Sequence, residues 1–293
     1  MVRSSQPFVP AGRAHANGTT PDFSLTRREF LAASLTAPLA AQEAGRPGLH
    51  VMDTWFWRAR LSVAEEAELL ARLGCAGLAL SWGAKHAERM SACRDNRLQV
   101  PGIYTVISID APPPPWLTEL AALLKGGTTH VWLALTSKAF KRSDPEGDAK
   151  AVETAARVAD LGLPVSFYPH VGFWLERVGD GVRLAGRLAR PDVGVTFNQY
   201  HWMAVEGGKD LRPTLEAARP HLRAVTVNGS GLKASILPLG EGEYDTSEIL
   251  KTAVDLGFRG PFATQGYSIQ ADVPRRLEAA KKTWDAWTET LPR

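Results

Sequence analysis

From Leu49 onward one pattern recurs about every 30 residues, a short apolar run rich in Val, Leu and aromatics followed by a longer amphipathic stretch, which is the rhythm of βα units. The runs are LHVMDT (49–54), AGLALSW (76–82), VPGIYTVIS (100–108), HVWLALT (130–136), PVSFYPH (164–170), VGVTFN (193–198), RAVTVN (223–228) and GPFATQ (260–265). Between them, VAEEAELLARLG and DAKAVETAARVADLG place apolar residues at i, i+3, i+4 and i+7 and end in Gly, as crossover helices with a glycine C-cap do. Eight units in about 250 residues predict an α/β fold, a (β/α)8 TIM barrel in one domain, whereas an open doubly wound sheet needs fewer strands. No GxGxxG follows the first run, and the Pro-rich APPPPW at 111–116 reads as a stiff loop ahead of a third helix.

Composition narrows the partners. Lys and Arg number 34 against 31 Asp and Glu, and the resulting +3 is too small for the basic stripe of a nucleic-acid binder, so no nucleic acid is expected. Only Cys75 and Cys93 are present, which excludes a disulfide framework and a thiolate metal site. No stretch reaches the roughly 18 apolar residues that span a bilayer, so stable membrane insertion is not expected. Residues 1–45 differ from the rest, being rich in Ser, Thr, Pro, Gly and Ala. Within them SLTRREFL, with Arg27 and Arg28 ahead of a mildly apolar run, resembles a twin-arginine signal. That likeness implies an exported, periplasmic protein whose barrel occupies residues 46–293.

The segment LPLGEGEYDTSEILKTAVDLGFRGPFATQGYS (237–268), together with FYPHVGFWLE (167–176) and VGVTFNQYHW (193–202), resembles the sugar phosphate isomerase/epimerase family of xylose isomerase-like TIM barrels. The resemblance runs through nearly all of residues 49–290. It implies a carbohydrate substrate and chemistry at the carboxyl ends of the strands. It further implies a divalent cation held by a Glu, an Asp, a His and a Glu from strands five to eight. At those places this chain has Tyr168, Asn198, Thr226 and Gln265, so the usual ligands are replaced. Neutral amide oxygens do little to offset an ion's dehydration, and Gln265 is no base. Whether a divalent metal is bound stays open, with His170, Asn198 and Gln265 as the weak candidates to ligate it.

Other groups can take over the chemistry. Ser166, Tyr168 and His170 share one face of an alternating strand. His201, three residues past Asn198, matches a family His that grips a substrate hydroxyl or carbonyl. Two neighbouring imidazoles suit either the ligation of a softer metal or acid/base work near neutral pH. The expected catalytic set is therefore His170 and His201, with Lys138 as an enolate stabiliser and Glu241 of the GEGEYD loop as a proton carrier. The expected substrate contacts are Tyr168, Asn198, Asn228 and Gln265, which can donate to and accept from sugar hydroxyls, and the ring faces of Trp82, Trp174 and Trp202. Trp132, Trp284 and Trp287 are expected in the core. The function expected is an isomerase or epimerase that abstracts a proton beside a sugar carbonyl. Two alternatives stand beside it, a keto-sugar hydratase or lyase that uses the same enolate, and a non-catalytic sugar-binding barrel. With no Gly-rich phosphate cradle, a phosphorylated substrate is not expected.

Overall fold

The structure is a computed structural model, and it describes residues 46–292 apart from 84, 268, 270 and 271. The twin-arginine-like segment lies outside the described residues. Eight parallel strands form one closed barrel in sequence order: β1 (Leu49–Met52), β2 (Gly77–Ser81), β3 (Gly102–Ser108), β4 (His130–Thr136), β5 (Val165–Phe167), β6 (Val193–Asn198), β7 (Leu222–Val227) and β8 (Phe262–Thr264). Closure runs through β1 and β8, where Leu49, His50 and Val51 are in register with Phe262, Ala263 and Thr264. This is the expected (β/α)8 barrel, and each strand falls within one or two residues of an apolar run except β5. That run ends early because Pro169 has no N–H with which to continue the ladder. Tyr168 still donates its N–H to Leu133 O at 2.9 Å.

The helices are α1 (Val63–Arg72), α2 (His86–Asp95), α3 (Trp116–Leu124), α4 (Asp148–Asp160), α5 (Val178–Leu188), α6 (Gln199–Glu206), α7 (Leu211–Ala218), α8 (Ser247–Asp255) and α9 (Val273–Glu289). Local sequence sets their ends. Ser62 caps α1 through a reciprocal bond with Glu65, and α3 starts directly after the proline run. On α1, Val63, Glu66, Ala67, Leu69 and Leu70 are buried, the stripe that a 3.6-residue period lays against a sheet. Glu66 is tolerated there because Arg89 on α2 donates to it through Nε at 2.8 Å, and to Asp53 just past β1 at 3.2 Å.

Inside the barrel, four alanines, Ala79, Ala134, Ala224 and Ala263, leave room for Trp132, Tyr168 and Met52, with Tyr104 and Phe173 packed above. Trp132 stacks on Tyr168 with ring centroids 5.9 Å apart. Gly102 makes this possible, since a Cβ there would stand 2.2 Å from the indole. Trp132 and Trp284 are buried as expected, Trp284 donating through Nε1 to Pro47 O at 2.9 Å. The lumen is therefore plugged by aromatics up to the level of Tyr168, and open chemistry is confined to what lies above it.

Candidate functional site

At the carboxyl end of β6, Asn198 serves two elements at once. Its Oδ1 caps α6 by accepting the N–H of His201 at 3.0 Å, the short polar side chain that a helix start favours. Its Nδ2 donates to the phenol oxygen of Tyr168 at 2.5 Å and to Oε1 of Gln265 at 2.8 Å. One amide thus ties together the ends of β5, β6 and β8. Below it, Ser166 and Thr196 share a buried hydroxyl bond of 2.7 Å, and Thr226 bonds Phe197 O.

The cap places His201 beside His170. The two imidazole centroids are 3.9 Å apart, with the planes tilted by 38°. Tyr168 meets His201 edge-on at 5.8 Å, and Phe173 stacks on the far side of the pair at 4.0 Å from His170. Tyr104 on β3 completes the ring wall, 5.0 Å from Tyr168 and 6.2 Å from His170. The β3 edge of the cluster meets solvent, whereas Tyr168, Asn198, His201 and Gln265 are buried. Val106 shares the lumen-facing side of β3 with Tyr104, yet 43% of it is exposed, and His170, Phe173 and Tyr104 are half-buried.

Burial dominates the electrostatics. Desolvation lowers the His170 pKa to about 4, against a weaker opposing bond to the Val171 carbonyl. His201 is pushed well below the ordinary histidine value, first by burial and then by its neighbour His170. Both rings are therefore neutral at physiological pH. Burial raises the phenol of Tyr168 despite hydrogen bonds from Thr226 and Asn198, and raises that of Tyr104 as well. The site is uncharged and built of donors, acceptors and ring faces.

Of the residues singled out in the sequence, the structure brings together His170, His201, Tyr168, Asn198 and Gln265. The contacts of the others fall outside that cluster. Trp174 is buried with its indole against Gly147, and Trp202 is buried against Phe197, with centroids 5.5 Å apart, so protein covers both ring systems. Trp82 is engaged by two of the chain's own rings, stacking on His86 at 3.8 Å and on Trp116 at 5.1 Å. Asn228 is fully buried and braces the loop after β7, donating through Nδ2 to Gly229 O and Ser235 O at 2.8 Å each. Lys138 is exposed on the loop after β4, where its backbone N–H bonds Asp110. Glu241 is exposed and lies 3.8 Å from Arg276.

The sequence reading missed Tyr104, Phe173 and Val106. The signal for Tyr104 and Val106 was present in the two-residue alternation of GIYTVIS, which sets them on the lumen side with Gly102. A depression lined by Leu215, Arg219, Arg223, Phe258 and Arg259 opens at the opposite, amino-terminal end of the barrel, away from these strand tips. Among the described residues, no group of three or more His, Cys, Asp or Glu is arranged to hold a metal ion, and no helix is long and apolar enough to cross a membrane.

No family model matches the chain, and no curated relative does. Solved structures do match. A probable 3-DHS dehydratase, AsbF, involved in petrobactin synthesis in Bacillus anthracis, is 16% identical, with 81% of this chain and 98% of that one covered and a TM-score of 0.62. D-Psicose 3-epimerase from Clostridium cellulolyticum H10 is 14% identical over 82% and 99% of the two chains, with a TM-score of 0.65. A 3-keto-D-glucoside 4-epimerase from E. coli, YcjR, is 14% identical over 84% and 100%, with a TM-score of 0.63. At these identities the likeness is one of architecture: the chain has the fold of the xylose isomerase-like TIM barrels.

Proposed function

We propose that the protein is a carbohydrate-active enzyme that moves a proton beside a sugar carbonyl, using the paired imidazoles of His170 and His201 in place of a metal centre. The observation that carries this reading is the 3.9 Å pairing of those two rings above Tyr168, at the open end of an otherwise plugged barrel.

The donor set argues against the cation that this fold commonly holds. Asn198 Oδ1 is committed to the His201 N–H, and Gln265 Oε1 to the Asn198 amide, so the two oxygens at those strand ends are already in use. Tyr168 and Thr226 stand at the other two places as neutral hydroxyls. Hard divalent cations need several free oxygens with negative charge to repay dehydration, and this arrangement supplies neither. No step is therefore assigned to a metal.

A histidine with a pKa of about 4 is as basic as an ordinary glutamate, whose value is about 4.3, but it carries no charge when unprotonated. It can thus replace a carboxylate base in an apolar mouth without burying an anion. Abstraction breaks the C–H bond beside the carbonyl, and its electron pair becomes the C=C bond of an enediolate. The former carbonyl oxygen takes the negative charge, and N–H donors at the mouth stabilise it. The proton on the imidazole then returns on the same face to the adjacent carbon, while the hydroxyl proton of the enediolate passes to the former carbonyl oxygen, giving the isomer. The epimer forms when water protonates the opposite face and the resulting hydroxide takes the proton from the imidazolium. Phe173, Val106 and Tyr104 offer apolar faces to the C–H side of a sugar ring.

Incubation with keto- and aldohexoses and their 3-keto derivatives in D₂O tests the reading. Carbon-bound deuterium in recovered sugar is expected, and its absence across the panel overturns the proposal. The same enediolate can instead lose a β-hydroxyl, as a dehydratase requires, and a product lighter by one water identifies that course. The twin-arginine-like segment supports an exported location, checked by fractionating cells that express the full chain.

A further inference from the structure

One residue contacts both imidazoles through its backbone. The Nδ1 of His170 lies 2.9 Å from the carbonyl oxygen of Val171. The N–H of the same residue points to Nδ1 of His201 at 3.4 Å. A carbonyl oxygen can only accept, so Nδ1 of His170 carries its proton and Nε2 carries the lone pair. A backbone N–H can only donate, so Nδ1 of His201 carries the lone pair and Nε2 the proton. We infer that Val171 locks the two histidines in opposite tautomers, making His170 the base through Nε2 and His201 the hydrogen-bond donor to the substrate oxygen through Nε2–H.

The tautomer assignment stands on the backbone geometry around two neutral rings; the division of labour rests on the proton-transfer reading above. Both rings being held neutral by burial keeps the assignment intact at physiological pH, since an imidazolium would be a donor at both nitrogens. The surroundings agree with it. Phe173 and Tyr104 flank His170 with ring faces, and among the described residues no carboxylate bonds either imidazole to hold it as a cation. Gln265 has its Oε1 occupied by Asn198, so that oxygen does not compete for the donors of the site. In a transfer between carbon and His170, the C–H proton goes to His170 Nε2, and the electron pair moves to the oxygen that His201 hydrogen-bonds. No oxidant, metal or external acid is required. Val171 is a positioning residue here and touches no reacting atom.

The test has two arms with separate readouts. Protein labelled with ¹⁵N-histidine, without substrate, is examined by long-range ¹H–¹⁵N correlation at neutral pH. His170 is expected to show a pyrrole-type Nδ1 and a pyridine-type Nε2, and His201 the reverse; the same tautomer at both rings, or rapid mixing at either, overturns the assignment. Val171→Ala keeps both backbone groups and should leave the pattern unchanged. Val171→Pro removes the N–H and keeps the carbonyl, while also fixing φ and restricting the His170 backbone; it should release His201 while the Nδ1–H of His170 stays on the residue-171 carbonyl. If the proline variant does not fold, the wild-type spectrum alone decides.

In the second arm, solvent deuterium exchange into the sugar is measured. His170→Gln has no basic nitrogen and should fall at least 1000-fold, to background. His201→Gln keeps an N–H donor and should retain exchange within about 100-fold of the parent. The opposite ranking overturns the division of labour. Opposite tautomers with no exchange by the wild type would leave the tautomer assignment standing and sink the catalytic reading, so the two failures are distinguishable.

Discussion

The side-chain amide of Asn198 points its Nδ2 at Oε1 of Gln265, 2.8 Å away, so where this fold commonly places two anions the chain has a neutral donor facing a neutral acceptor. Asn198→Asp puts a carboxylate in that position, 2% exposed and beside the Tyr168 phenol. Burial will raise the new carboxyl's pKa above its unfolded value, so the penalty builds as pH rises above the unfolded value of about 4 and is relieved as pH falls and the group is protonated. A loss of about 1–3 kcal/mol at pH 7 is expected, shrinking toward pH 4, as measured by urea unfolding at both pH values. Asn198→Asp combined with Gln265→Glu should also gain Mn²⁺-dependent thermal stabilisation that the parent lacks. A parent Tm that climbs by several degrees with millimolar Mn²⁺ contradicts the proposal that the imidazoles act in place of a metal.

Gly102→Ala addresses the floor of the same site. The added Cβ would stand 2.2 Å from the Trp132 indole, a ring at the centre of the barrel that cannot move without disturbing Tyr168 stacked upon it. Overpacking of this kind costs about 1–3 kcal/mol. The variant should unfold at lower urea, and Trp132→Phe, by freeing space, should recover part of the loss. Additivity of the two substitutions in a double-mutant cycle would show that the ring does not rest on Gly102.

The eight strands were legible because each announces itself locally, through apolar runs at regular spacing, and the barrel follows from their number. The site was legible only in part. Asn198, His201 and Gln265 sit at strand ends or in a helix cap, where backbone geometry dictates direction, and the structure unites them. Trp174 was misjudged because a large ring beyond a strand can face either a ligand or the core, and the same choice arises at Trp55. What decides is a distant glycine: Gly147 receives the first indole and Gly266 the second. Such pairings between residues far apart in the chain leave no periodic trace. The same holds for Arg89, whose role depends on Asp53 and Glu66 converging from two other elements.

Arg89→Met tests that convergence. Asp53 is 1% exposed and Glu66 2%, and burial already raises the Asp53 carboxyl, opposed by its bonds from Ser81 and by the Arg89 charge. Removing the guanidinium leaves two buried acids facing each other. The expected cost is about 3–5 kcal/mol near neutral pH, the usual result of breaking a buried ion pair from one side. The penalty should lessen as pH falls and the acids are protonated. Adding Glu66→Gln to Arg89→Met should restore stability relative to Arg89→Met alone; equal urea midpoints for the single and double variants would show that the network carries little strain.

Acid behaviour offers a test of the buried imidazoles themselves. His170 and His130 are each lowered to about 4 by desolvation, and burial lowers His50 and His201 as well. In the unfolded chain these groups titrate near the ordinary value of about 6.5. Between about pH 4 and 6.5 the unfolded state thus binds more protons than the folded one, so stability should rise with pH across that window and level off above it. Urea midpoints measured from pH 4.5 to 8 should trace this curve, and His170→Gln should flatten its slope. The same shift fixes the acid limb of any exchange activity. With His170 as base, kcat/KM should hold down to about pH 5 and fall near 4, whereas a limb centred at 6.5 would mean that a solvent-exposed histidine, and not the buried pair, accepts the proton.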